Sequence, residues 1–364
     1  MTYRLLRRTL ISFVIAASLL TGCGTEQDDS ERDTAGESTF VDKYTPPERL
    51  GPPPEPTKSP PLEKKPAGTV TSVESRPEGI VADPETGIVA LGLRDADELA
   101  LVDGGSGEVL RKVKLSGSPR HLGLAAPGGP VLVPSESSDA LIQVGLPGGG
   151  ILAETPVDDF PHNVAGAPGG RSFVISESKS TAMVIEADKV TEKFETPKNP
   201  GGVAITEGGL VGIVGVRGLA LEVFEADTLD SLGIIDAGEG PTHVKVGPNE
   251  RFYVADTRGD AILTYETRPE LRRISREALP GAAPYGLAVD LERNHLWVTL
   301  TAENRLVQYD IDGDTPREIN SYPTVRQPNS LAVNPQNGRM FVAGRKNDEL
   351  QIIDPQKDPE MGDP

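Results

Sequence analysis

The chain has 364 residues, a single cysteine, few aromatic rings (8 Phe, 7 Tyr, 1 Trp) and a formal charge of −19. Such a field repels phosphate backbones, and so few rings leave little for bases to stack on, so nucleic-acid binding is excluded. One thiol rules out a disulfide framework and a cysteine-zinc site, so a large apolar core has to supply the stability.

Residues 1–22 carry Arg4, Arg7 and Arg8, then the apolar run Leu10 to Leu20, and end at Leu20-Thr21-Gly22 before Cys23. A charged start, a short apolar run and small residues before a cysteine make an export signal too short for a comfortable membrane span. The ending resembles a bacterial lipobox, which implies that Cys23 is lipidated, becomes the first mature residue, and holds the protein on the extracytoplasmic face of the cell membrane. The Arg7-Arg8 pair fits twin-arginine export poorly and leaves the route open. Removal of residues 1–22, with three arginines and no acid, leaves a charge near −22.

Residues 23–67 contain almost nothing apolar. An acidic Ser/Asp/Glu-rich stretch from Glu26 to Asp42 predicts disorder, and nine prolines between Pro46 and Pro66 predict an extended spacer. At ~3.1 Å per residue it could hold a domain on the order of 65 Å from a lipid surface.

From residue 68 the chain repeats itself. A Pro-x-(Gly/His/Asn/Ser) step begins at Pro77, Pro119, Pro161, Pro200, Pro241, Pro284 and Pro328, at intervals of 42, 42, 39, 41, 43 and 44 residues. Each unit reads as four short strands bounded by Gly, Asn, Asp and Pro. Unit five shows this in His243–Val246, Arg251–Asp256, Ala261–Tyr265 and the segment 274–280. A period in the forties with this content predicts an all-β, seven-bladed β-propeller with four-stranded antiparallel blades over residues 68–354, followed by a disordered tail at 355–364. Only Glu270 to Leu279 has a helical period and is expected to be an insertion at a fourth strand. The seventh unit ends at Leu350-Gln351-Ile352-Ile353-Asp354 without a fourth strand, whereas Gly68 to Val73 stands in the fourth-strand position with no blade before it. The N-terminal strand is therefore expected to complete the last blade.

Three stretches carry a resemblance: Tyr253-Val254-Ala255-Asp256 with Ala261 to Tyr265, Trp297-Val298-Thr299 with Leu306 to Asp310, and Phe341-Val342-Ala343-Gly344 with Leu350 to Asp354. They resemble the YVTN-type repeat of bacterial β-propellers, with unit four, Leu210 to Val223, keeping almost none of its letters. The resemblance implies seven blades and a cell-surface or secreted location. Propellers sharing the architecture include lactonase-like hydrolases and virginiamycin-inactivating lyases.

Enzyme motifs such as G-x-S-x-G, H-E-x-x-H and a P-loop are absent from the sequence. Asp310, Asp312 and Asp314 around Gly313 imitate a calcium loop but fall where other units have a hairpin turn. The second residue after each proline, Gly79, His121, Asn163, Gly202, His243, Gly286 and Ser330, is expected to ring one mouth of the central channel. His162 and Tyr285 flank that ring. His121 and His243 could serve as acid and base or hold a divalent metal, but they lie three blades apart with no acid at the other ring positions, which favours capped strand ends and no metal or other cofactor.

Turns between second and third strands on the same face carry Arg94, Lys179, Arg217, Arg258, Arg305, Arg345 and Lys346, with Arg120 from a neighbouring loop. They either form an annulus for an anionic ligand or pair with Asp97, Glu177, Asp260, Glu303 and Asp348. The preferred function is a monomeric, lipid-anchored propeller that binds a protein or small anionic ligand through this face. A lactonase- or lyase-like enzyme using His121 and His243 is the alternative, and a structural envelope component is the third.

Overall fold

The computed structural model describes residues 44–358. The expected export signal, Cys23, the acidic stretch and residues 359–364 lie outside the described residues. Seven four-stranded antiparallel sheets follow one another, each from an innermost to an outermost strand in chain order except the last. Blade five runs Pro241–Val246, Phe252–Asp256, Ala261–Glu266 and Arg272–Ala278. The expected insertion is thus an ordinary outer strand. Its edge position tolerates charged residues on both faces, and this produced the helix-like spacing. Charged outer strands recur in Val109–Lys114 and Lys189–Glu195, where they discourage pairing with other chains.

The closure is as expected. Thr69–Ser72 pairs antiparallel with Glu349–Ile353, Thr69 opposite Ile352 and Ser72 opposite Glu349, and completes the blade built from the C-terminus. Val73, just beyond, is buried with Leu93, Phe341 and Leu350 between blades one and seven. Six further apolar clusters of this kind each join neighbouring blades, and their walls are mostly Val, Leu, Ile and Ala. The core is therefore a ring of seven contacts. The few rings concentrate late in the chain, with Trp297, Tyr253, Tyr265, Tyr309 and Tyr322 among the largest fully buried side chains.

The proline step has a physical basis. In six blades the innermost strand begins on the proline itself, which has no N–H to give a ladder, and the register shifts immediately after it. In five of these the preceding residue (Arg76, Phe160, Asn199, Ala283, Gln327) is left-handed, so the chain turns sharply into the channel wall. Blade two departs from this. Pro119 makes only an isolated bridge to Ser135, and the strand shrinks to Gly123–Leu124, which leaves His121 on irregular backbone.

Residues 44–66 correct the expectation of a free spacer. They lack regular secondary structure but lie across the face on which the innermost strands begin, here called the top face. The Tyr44 hydroxyl donates to the Gly218 carbonyl at 2.9 Å, Arg217 donates to the carbonyls of Leu50 and Gly51, Arg258 to that of Pro52, and Asn304 to that of Pro60. Pro54 and Ser59 are buried. Proline removes donors but leaves every carbonyl free, so an extended proline-rich chain presents a row of acceptors that surface arginines can clamp. The expected tail also begins with order, because Lys357 and Asp358 donate their N–H groups to the Asp354 carbonyl and close a turn.

Candidate functional site

At the top face four rings cross the channel mouth. His162 and His121 have centroids 5.0 Å apart, His121 and His243 4.9 Å, and His243 and Tyr285 4.7 Å, all edge to face. His121 and His243, whose three-blade separation weighed against a joint site, meet Nε2 to Nε2 at 3.4 Å. Three blades of separation place them across a narrow channel, so the count of blades misjudged the distance. His243 Nδ1 lies 3.1 Å from the Tyr285 carbonyl, which can only accept, so Nδ1 carries the proton and Nε2 of neutral His243 accepts from His121 Nε2–H. Burial, then the charges of His162, Lys245 and Arg120, lowers the His243 pKa to about 3. Burial, followed by the neighbouring His243 and Arg120, takes His121 well below its usual value. Both rings are neutral at neutral pH.

Beside His162 lies a compensated charge cluster. Arg120 bridges Glu78 at 2.7 Å and Glu136 at 3.2 Å, Arg94 reaches Glu136 at 2.6 Å, and both Arg94 and Arg345 stand 3.6 Å from Glu78. His162 Nδ1 lies 3.0 Å from Glu177 and 3.6 Å from Glu136. Burial pushes the Glu136 carboxyl up, but the hydrogen bond from His162 and the charges of Arg120 and Arg94 outweigh it and hold the pKa at about 2. The hydrogen bond from His162 likewise lowers Glu177. The donor atoms of Glu136, His162 and Glu177 lie within 4.8 Å of one another, as a metal site would need. Two guanidinium groups already sit on Glu136, however, so a divalent cation would enter against them. The donor set fits an ion-pair network better than a metal.

Register decides which turn residue reaches the mouth. The residue immediately after the second strand is Arg94, Glu136, Glu177 and Arg345 in blades one, two, three and seven, and all four join the cluster. One position further, Arg217 and Arg258 reach the proline-rich segment instead. Arg305 pairs with Glu303 and Glu318, and Lys179 with Asp159, away from the mouth. The turns therefore form no uniform basic annulus. Asn163 and Ser330 are tied to backbone, Asn163 donating to the Gly201 carbonyl and Ser330 Oγ accepting from the Gly79 N–H.

Glu78 and Glu136 were missed. Glu78 follows the first step proline directly, and Glu136 occupies the same turn position as Arg94, so aligning the units on the end of the second strand would have found Glu136. Glu55 of the docked segment was missed as well. It lines a small space at the mouth with Pro54, Arg120, His162, Glu177, His243 and Tyr285.

No protein-family model matches the chain, and no curated protein matches it in sequence. Solved structures do resemble it. The chain is similar to Kuenenia stuttgartiensis hydrazine synthase at 15% identity, over 78% of this chain and 97% of that one, with a TM-score of 0.67. It is similar to Staphylococcus aureus virginiamycin B lyase at 14% identity, over 78% and 99%, with a TM-score of 0.63. Similarity to the β-propeller domain of Myceliophteria thermophila Cps50 (Swd1) is 12% identity, over 79% and 99%, with a TM-score of 0.65. At such identities the likenesses establish the propeller fold and nothing of its use.

Proposed function

We propose that this protein is a lipid-anchored, extracytoplasmic β-propeller that binds a protein partner through its top face, recognising an extended, proline-rich segment. Its own residues 44–66 fill that role in the resting chain. The carrying observation is the set of donors addressed to backbone carbonyls of that segment: Arg217 to Leu50 and Gly51, Arg258 to Pro52, Arg326 to Ser59 and Gln327 to Thr57. Carbonyls belong to any peptide, and extended proline-rich chains lose little entropy on docking. A small anionic ligand is the weaker candidate, because Arg94, Arg120 and Arg345 are already matched by Glu78 and Glu136. Anchoring rests on Cys23 and the apolar run before it.

The test combines Arg217→Ala with Arg258→Ala in the full chain. The expected result is faster protease cleavage within residues 44–66, capture of an added peptide of that sequence, and an unchanged propeller. Cleavage and capture identical to the parent would overturn the top-face reading, and persistence of Cys23→Ala in the membrane fraction would overturn the anchor.

A further inference from the structure

Below the histidine-lined mouth the channel widens into a cavity of about 320 Å³ walled by the innermost strands of all seven blades. The side chains lining it are aliphatic, among them Ile80, Leu124, Val164, Val289 and Leu331, with one charged exception, Lys245, while glycines and strand backbone contribute polar surface. The exception is specific to one blade. At the fourth position after the step proline the other blades place Val81, Gly123, Ala165, Ala204, Ala288 and Ala332, and blade five alone places a charge. Register confirms the equivalence, since Lys245 lies opposite Tyr253 as Ala332 lies opposite Phe341 and Ala165 opposite Phe173.

Lys245 makes no hydrogen bond or ion pair with any described residue. Its side chain is exposed to the channel space, and the innermost strands packed around the channel lower its pKa by partial desolvation. It also lines the narrower space above, with His121, Asn163, His243 and Ser330. The amine therefore stands at the boundary between a polar mouth and a wider space lined by aliphatic side chains. An ammonium partly desolvated by the channel walls and without a counter-charge attracts a ligand that supplies one. Ligand sites typically have volumes of roughly 300–1,000 Å³, mostly apolar side chains and a few fixed polar groups, and this chamber matches in volume and side-chain lining.

We propose that the chamber is a binding site for a small monocarboxylate with an apolar tail, the carboxylate paired with Lys245 and the tail lying along the aliphatic wall below it. Segment 44–66 lies across the top, so entry is from the opposite end, past Leu291, which is half exposed and lines the chamber. The site is independent of the peptide-binding face.

The test titrates the full chain with octanoate and with octanol by calorimetry, and repeats both with Lys245→Met and with Ala332→Phe. Octanoate is expected to bind one to one, and Lys245→Met to weaken it about ten- to hundredfold, the value of a charge-assisted hydrogen bond, without weakening octanol. Ala332→Phe fills the chamber and is expected to abolish both. Octanoate binding that is absent in the parent, equally strong in Lys245→Met or unaffected by Ala332→Phe would overturn the proposal. Should Lys245→Met fail to fold, judged by melting temperature, Lys245→Gln carries the same comparison.

Discussion

The Ser59 hydroxyl donates to the Thr301 carbonyl at 2.7 Å across 242 residues of sequence, in a buried contact on the top face. The same oxygen accepts the Gln327 N–H at 3.0 Å, while Gln327 Oε1 takes the Ser59 N–H at 3.1 Å. One side chain thus pins the proline-rich segment to two blades. Ser59→Ala strands the Thr301 carbonyl and the Gln327 N–H. The expected cost is about 1–3 kcal/mol for docking of the segment, read as faster amide exchange at residues 57–60 with little change in the blades.

Removing residues 24–66 takes away a docked segment but no blade, so the melting temperature is expected to fall by only about 2–4 °C. Extending the cut through Val73 removes the strand that pairs with Glu349–Ile353 and a residue of the core between blades one and seven. That cut is expected to cost more than about 10 °C, because it bares a sheet edge and opens the ring. Equal melting temperatures for the two truncations would refute the closure.

His121 and His243 make stability depend on pH. Both are held neutral in the folded protein, His243 with a pKa of about 3, while an unfolded histidine titrates near ~6.5. The unfolded state therefore binds more protons as pH falls, so stability is full above about 6.5 and is lost on acidification toward 3, by up to ~1.4 kcal/mol per pH unit from His243, with His121 acting in the same direction. His243→Asn is expected to remove one ring's share of that slope between about pH 6 and 4, measured by denaturant titration. An unchanged slope would contradict the buried neutral pair.

The blades and their closure could be read from the chain because proline steps, alternating apolar residues and the unmatched strand at Thr69 are local signals. The docking of residues 44–66 could not, since its bonds are made by carbonyls that every residue carries, whatever the composition suggests. The meeting of His121 with His243 depends on channel width, which the number of blades between them does not convey. Lys245 is legible two residues beyond His243 in a column of Ala, Val and Gly, but a lone lysine on a strand ordinarily marks a solvated face, and only the channel geometry gives it another meaning.

The most direct test measures whether the top face binds the segment in trans. A labelled peptide of residues 44–66 is titrated by fluorescence anisotropy into a chain lacking residues 24–66 and into the full chain. Saturable one-to-one binding is expected to the truncated chain, and at least about tenfold weaker binding to the full chain, whose tethered segment competes at high effective concentration. In the docked peptide, burial and the charges of Glu177 and Glu78 raise the Glu55 pKa against the attraction of Arg120. The docked form therefore holds its proton longer, docking weakens as pH rises through that value, and a Glu55→Gln peptide should bind the truncated chain more tightly at neutral pH. A peptide that fails to bind the truncated chain, or binds the full chain equally well, would contradict the assignment of the top face as a peptide-binding site.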